Sequence, residues 1–277
     1  MVAGIGGHRD STAWEGANLT PILRLEDVHY SYPGSPGPAL RGIQLSLWAG
    51  KKVAVLGRNG SGKSTLFLHC NGILRPDRGS IYLAGAPVKY DRASLLELRR
   101  QIGIVFQNPD DQLFSASVMQ DVSFGPLNLG LSQAEARRAV EVAADQCGIV
   151  DLLDRPTHAL SGGQKARVAL AGVLAMEPSV IVVDEVIASL DPWMRDQILG
   201  ILHELAARGK AVVLATHDLA LARSWADLIV VMENGRVLVV DTPDSVFSSD
   251  AVMARLAPKS PWFSPPLTGS VRRIVSD

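Results

Sequence analysis

The segment from Lys52 to Leu74 leaves few folds open. Lys52-Val53-Ala54-Val55-Leu56 is a short apolar run suited to a buried strand, and it passes directly into Gly57-Arg58-Asn59-Gly60-Ser61-Gly62-Lys63-Ser64. Lys63 to Leu74 then reads as a helix closed by Pro76-Asp77-Arg78-Gly79. A strand entering a helix through G-x-x-x-x-G-K-[ST] lets the backbone wrap an anion, with successive N–H groups and the helix N-terminus facing it. Lys63 can reach the β and γ phosphates of a nucleoside triphosphate, and Ser64 can ligate Mg²⁺. Gly57, Asn59, Gly60, Ser61, Gly62 and Thr65 complete the candidate phosphate loop.

Around this loop the chain alternates strands and helices. Ile22 to Tyr30 and Ile43 to Leu47 read as strands, the latter alternating as a half-buried strand does. A stretch from about Ser117 to Met176 lacks strand runs and reads as helices, with Ala134 to Cys147 an amphipathic candidate. Strands return at Val180 to Val183, Ala211 to Ala215 and Leu228 to Met232, with a helix from Trp193 to Arg208 between the first two. The alternation implies an α/β fold with a mostly parallel sheet. A short helix is expected around Ser245 to Leu256, followed by little regular structure through Pro258, Pro261, Pro265 and Pro266.

Two further elements carry chemistry. Val180-Ile181-Val182-Val183 ends in Asp184-Glu185, the pattern of a strand that delivers a carboxylate to a nucleotide-bound metal. Asp184 would hold Mg²⁺, and Glu185 at the strand tip would orient and deprotonate the water that attacks the γ phosphate. Leu160-Ser161-Gly162-Gly163-Gln164 opens a second helix with a hydroxyl, backbone donors and the positive end of a helix dipole. One chain has little use for two phosphate clamps on one triphosphate unless a second subunit brings its clamp across an interface.

Composition narrows the alternatives. In 277 residues, 27 Lys and Arg face 28 Asp and Glu, for a net charge of −1, which disfavours sequence-independent nucleic-acid binding. Apolar runs such as Leu228 to Met232 are far shorter than the roughly 20 residues a membrane-spanning helix requires. The first 18 residues lack the basic start and apolar core of a secretory signal and read as a cytoplasmic leader. Cys70 and Cys147 suggest neither a disulfide nor a zinc site, and His8, His29, His69, His158 and His203 show no metal-ligand spacing.

The phosphate loop, Gln107, Leu160 to Gln164, Asp184-Glu185, Ser189-Leu190-Asp191 and His217, taken in order, resemble the ATP-binding cassette of ABC transporters over about residues 22–245. The resemblance implies a P-loop NTPase with a mostly parallel sheet core, a small antiparallel β subdomain and an inserted helical subdomain. It implies ATP and Mg²⁺ as ligands and a head-to-tail homodimer sandwiching two ATP molecules between one subunit's phosphate loop and the other's signature. Tyr32 falls where an aromatic stacks on adenine, and Gln107 where a glutamine touches the metal and senses the γ phosphate. Ser161, Gly162, Gly163 and Gln164 form the signature, Asp191 lies at the dimer seam, and His217 holds the γ phosphate and attacking water. The catalytic set is thus Glu185, His217, Gln107 and Lys63, with Ser64, Gln107 and Asp184 at the metal.

Gly103 to Phe114 and Asp121 to Leu131 are similar to the ATPases of energy-coupling-factor importers, most closely the cobalt/nickel branch of CbiO type, with vitamin importers as the alternative. That family implies a transmembrane T component (CbiQ type), a substrate-binding membrane component, and a peripheral place on the cytoplasmic face of the inner membrane. The segment after Gln107 would help form a groove for a coupling helix of the T component, and Leu113 and Phe114 suit either groove lining or ordinary packing. A soluble ABC clamp on nucleic acid would instead carry coiled-coil arms, tandem cassettes or basic surfaces, which this chain lacks. The expected organisation is a flexible leader at 1–20, an ATPase domain at 21–244 with its helical subdomain at about 111–176, and a short extension at 245–277. One departure stands out: the family usually has Pro-Thr after the acidic pair, and here Val186-Ile187 follow Glu185.

Overall fold

The structure, a computed structural model, describes residues 20–256. The leader expected at 1–20, apart from Thr20, and the prolines from Pro258 onward lie outside the described residues. The first strands, β1 (Leu23–Tyr30) and β2 (Leu40–Leu47), pair antiparallel, and β3 (Lys52–Leu56) leads into α1 (Lys63–Cys70). Next come β4 (Arg78–Leu83), β5 (Ala86–Pro87), α2 (Arg92–Gln101) and β6 (Ile102–Val105). Helices α3 (Val118–Asn128), α4 (Gln133–Gln146) and α5 (Gly162–Leu174) precede β7 (Val180–Asp184), and α6 (Pro192–Ala207) follows it. The chain continues through β8 (Ala211–Ala215), α7 (Leu219–Trp225), β9 (Leu228–Glu233) and β10 (Arg236–Asp241) to α8 (Pro243–Phe247) and α9 (Asp250–Leu256).

Two sheets result: a four-stranded antiparallel sheet in the order β2-β1-β4-β5 and a six-stranded sheet in the order β10-β9-β3-β8-β7-β6. In the larger sheet all neighbours are parallel except β10 on β9. Its five parallel strands are apolar and buried at nearly every position because both faces are covered, whereas β10 at the edge is only partly buried. Along β7, Val180 and Val182 enter the core shared with α1 and the antiparallel sheet, while Ile181 and Val183 enter the core shared with α5 and α6. β2 alternates buried and more exposed residues, as a strand with one covered face should. On α4, Ala136, Val140, Ala143 and Ala144 form one buried stripe, and Ser132 with Glu135 closes a capping box at its start.

Several boundaries differ from the sequence expectation. The helix after the phosphate loop ends at Cys70 rather than Leu74, because the chain turns at Asn71-Gly72 and the N–H groups of Ile73 and Leu74 both fold back to the Leu68 carbonyl. The turn placed at Pro76 to Gly79 overlaps β4, which starts at Arg78, and β6 and β10 are strands the pattern did not single out. The single helix expected near 245–256 is two, α8 and α9.

The signature helix α5 packs closely on β6 because Gly103 presents no side chain there. A Cβ at Gly103 would stand 2.3 Å from Val173 Cγ1 of α5 and 3.3 Å from Pro178 Cγ. Gly103→Ala should therefore overpack this contact and cost about 1–3 kcal/mol, read as a lower midpoint in urea unfolding. An unchanged midpoint would show that α5 can back away freely.

Candidate active site

The candidate residues gather at the carboxyl ends of four adjacent parallel strands, where open α/β sheets hold their ligands. β3 ends at Leu56 and leads into Gly57, β6 is followed by Gln107, β7 delivers Asp184 and Glu185, and β8 leads through Thr216 to His217. Gly62, the N-cap of α1, has φ +103°, a left-handed conformation open to glycine, and α1 begins without any side-chain cap. Its first N–H groups thus face outward for an anion. Helices α5, α6 and α7 are capped by contrast, by Ser161, Asp191 and Asp218.

Lys63 is buried and its ammonium is turned onto protein oxygens. Nζ donates to the carbonyls of Gly57 at 2.8 Å and Arg58 at 3.4 Å, and lies 3.0 Å from Glu185 Oε1. The Lys63 and Glu185 side chains are only 6% and 12% exposed, so this pair is largely shielded from water. Glu185 itself has a left-handed backbone, φ +50° and ψ +3°. Beside it, burial raises the Asp184 carboxyl above the usual carboxylate range; the Ser64 hydroxyl and Lys63 pull it down, and Glu185 pushes it up. Asp184 Oδ1 is buried and makes no hydrogen bond, and Ser61 Oγ is likewise without a partner.

Asn59, Gly60, Ser61, Gly62, Lys63, Ser64, Thr65, Gln107 and Glu185 line a cavity of about 220 Å³. Asn59, Gln107 and Glu185 also border a neighbouring cleft of about 810 Å³, which Gly162, Gly163, Asp191 and His217 line as well. The structure thus brings the phosphate loop, Glu185, Gln107, His217 and the signature glycines to connected space. Tyr32, Gly57, Ser161, Gln164 and Asp184 do not line either cavity. Tyr32 is 40% exposed, with its hydroxyl 3.2 Å from Thr65 Oγ1 and its ring edge-on to Tyr30. Gln164 uses its side-chain oxygen to accept from Ser161 N at 2.9 Å, so in this structure it closes the capping box of α5. Gly163 packs against Met194 of α6, where a Cβ would approach the Met194 side chain to 3.1 Å.

Further residues support the site without having been assigned a role from sequence. Gln112 accepts from Phe106 N and donates to the carbonyls of Ile104 on β6 and Ala169 on α5. Asp110 pairs with Lys165 in the first turns of α5. Asp218 receives Leu221 N at 2.9 Å, donates its own N–H to Thr216 Oγ1 at 3.0 Å, and pairs with Arg195 at 3.1 Å, fixing the backbone on both sides of His217. The sequence signal for these is position alone: each stands a few residues from a motif.

A family model described as ABC transporter matches residues 40–188. The chain is 49% identical over 237 residues to the cobalt import ATP-binding protein CbiO of Rhodobacter capsulatus, covering 86% of this chain and 84% of that protein. It is 44% identical over 243 residues to the energy-coupling factor transporter ATP-binding protein EcfA2 of Methanospirillum hungatei, covering 88% of this chain and 61% of the relative's length. Among solved structures, CbiO1 of Clostridium perfringens, described as part of the ABC transporter complex CbiONQ, matches with a TM-score of 0.74 and 45% identity over 85% of this chain and 94% of that one. The strand-end site and these matches together make the chain a member of the ABC transporter family, an ATPase cassette with a P-loop NTPase fold.

Proposed function

We propose that this cassette powers an energy-coupling-factor importer, carrying Co²⁺ or Ni²⁺ through separate transmembrane components, and that it works as a homodimer on the cytoplasmic face of the membrane. Two ATP molecules would each bridge one subunit's phosphate loop and the partner's signature glycines, closing the dimer, and loss of the γ-phosphate contacts on hydrolysis would reopen it. Glu185 takes the proton of the attacking water, while His217 and Gln107 orient that water and the γ phosphate. Ser64, Asp184 and Gln107 would hold Mg²⁺: the unpartnered, buried Asp184 oxygen is the kind of hard ligand such an ion requires. When bound, the ion supplies charge neutralisation between the β and γ phosphates.

The observation that carries the importer reading is an apolar groove joined to the nucleotide site by a single loop. The groove encloses about 430 Å³ and is lined by Ile73, Leu96, Leu113, Phe114, Phe124 and Leu129, among others. Phe114 and Phe124 are 65% and 49% exposed and meet edge to face at 4.7 Å. Such exposed aromatics suit the coupling helix of a membrane partner of T type. Among the described residues, no helix is long and apolar enough to cross a membrane, so membrane attachment would run through this contact.

The test is to recover the tagged chain from gently solubilised membranes of its own cells and identify its companions by mass spectrometry. A small set of membrane proteins with a metal-type substrate component supports the proposal, and a vitamin-type component reassigns the cargo. Ribosomal proteins or nucleic acid in place of membrane proteins overturns it. Phe114→Asp should lower recovery of the membrane partners at least about tenfold, as loss of a central aromatic anchor does, and leave phosphate release by the free chain unchanged.

A further inference from the structure

The ammonium of Lys63 has three hydrogens, and three protein oxygens surround it: Gly57 O, Arg58 O and Glu185 Oε1. A lysine so engaged must give up at least one of these partners before it can take a phosphate oxygen. Glu185 reaches the ammonium from a backbone at φ +50°, ψ +3°, a conformation that residues other than glycine adopt sparingly. The residue that follows decides whether this conformation is available at all. A proline at 186 would place its Cδ against the N–H and Cβ of residue 185 at ψ near 0° and push that residue to extended ψ values. Val186 imposes no such restriction, and its side chain is buried in the core shared with α5 and α6, which holds the loop at this point.

From this geometry we propose that Glu185 is a latch as well as a base. In the left-handed conformation its carboxylate occupies the phosphate-loop lysine, and a triphosphate competes with it for Lys63. Nucleotide arrival therefore frees both groups together: Lys63 turns to the phosphates, and the Glu185 carboxylate is released to face water. Val186 is the positioning residue that permits the latched form. The contact makes the base unavailable until the lysine has found its phosphate, and it lowers apparent nucleotide affinity by the fraction of molecules latched. The inference rests on nucleotide binding at this loop and is independent of which importer the cassette serves.

The test is ATP binding to the full chain by titration calorimetry in EDTA, which separates binding from metal-dependent hydrolysis. Val186→Pro keeps every charge and removes the latched backbone, so ATP should bind about 3- to 10-fold more tightly. Glu185→Gln should tighten binding by a similar factor, and the double variant should bind no tighter than either single one. Multiplying effects in the double variant, or unchanged affinity in Val186→Pro, would overturn the latch. Thermal unfolding checks that the proline variant folds. If it does not, the cycle of Glu185→Gln with Lys63→Met decides instead: the tightening should vanish once the lysine is gone, and its persistence would mean simple repulsion between the carboxylate and phosphates. Absence of ATP binding in the unaltered chain would overturn the nucleotide site and the latch together, whereas equal binding by all variants removes the latch alone.

Discussion

Glu185→Gln is expected to retain ATP, hold the nucleotide-closed dimer together, and release phosphate about 10²- to 10⁴-fold more slowly than the unaltered chain. The amide keeps the size of the carboxylate but carries no charge and cannot take a proton from water. Glu185 stands at the tip of β7, beside the phosphate loop and on the border of both connected cavities. Removing an interaction made only in the transition state lowers turnover without weakening substrate binding. Phosphate release under saturating ATP gives the first number, and sedimentation with ATP and Mg²⁺ shows the dimer persisting. Turnover within a few-fold of normal would assign the base elsewhere.

Lys63→Ala should act earlier, at binding. The ammonium is the cation of the phosphate loop, and it is 6% exposed, so solvent cannot replace it. Charge-assisted hydrogen bonds contribute about 1.5–3 kcal/mol each, so losing one or two to the phosphates should weaken ATP binding about 10²-fold. At saturating nucleotide, turnover should fall by a further factor of about 10² to 10³, the usual cost of removing one preorganised donor from a developing charge. Equilibrium binding and phosphate release separate the two effects. A variant that binds and hydrolyses ATP within threefold of normal would show that the uncapped start of α1 alone holds the phosphates.

Much of the fold was legible because its period is plain. The runs Val180 to Val183 and Ala211 to Ala215 are apolar throughout and became strands buried on both faces. The phosphate loop was legible because its pattern lies between an apolar strand and a helix, and the acidic pair because it closes another apolar strand in a chain that also carries that loop. β4 was obscured by Arg78-Gly79, which punctuates the sequence like a turn. In the structure Gly79 has φ +92° inside the strand, where a Cβ would come within 2.3 Å of the Asp27 carbonyl, opposite an irregularity in β1. β6 was missed because four residues, one of them glycine, carry too little periodicity to read. The Lys63 to Glu185 contact depends on a backbone conformation at one residue, which no residue pattern announces. The roles of Gln112 and Asp110 depend on their distance from α5, which only the folded chain sets.

The loop between Gln107 and Phe114 is fastened at both ends. Gln112 bridges β6 to α5, Asp110 grips Lys165, and Asp121 receives the N–H groups of Phe114 and Ser115. Any free energy that ATP adds to the fit of a guest in the aromatic groove must then be returned by that guest as tighter ATP binding, factor for factor, because the two sites share one cycle of states. On the proposed importer reading, a membrane partner seated in the groove would in that way shift the nucleotide affinity of the cassette.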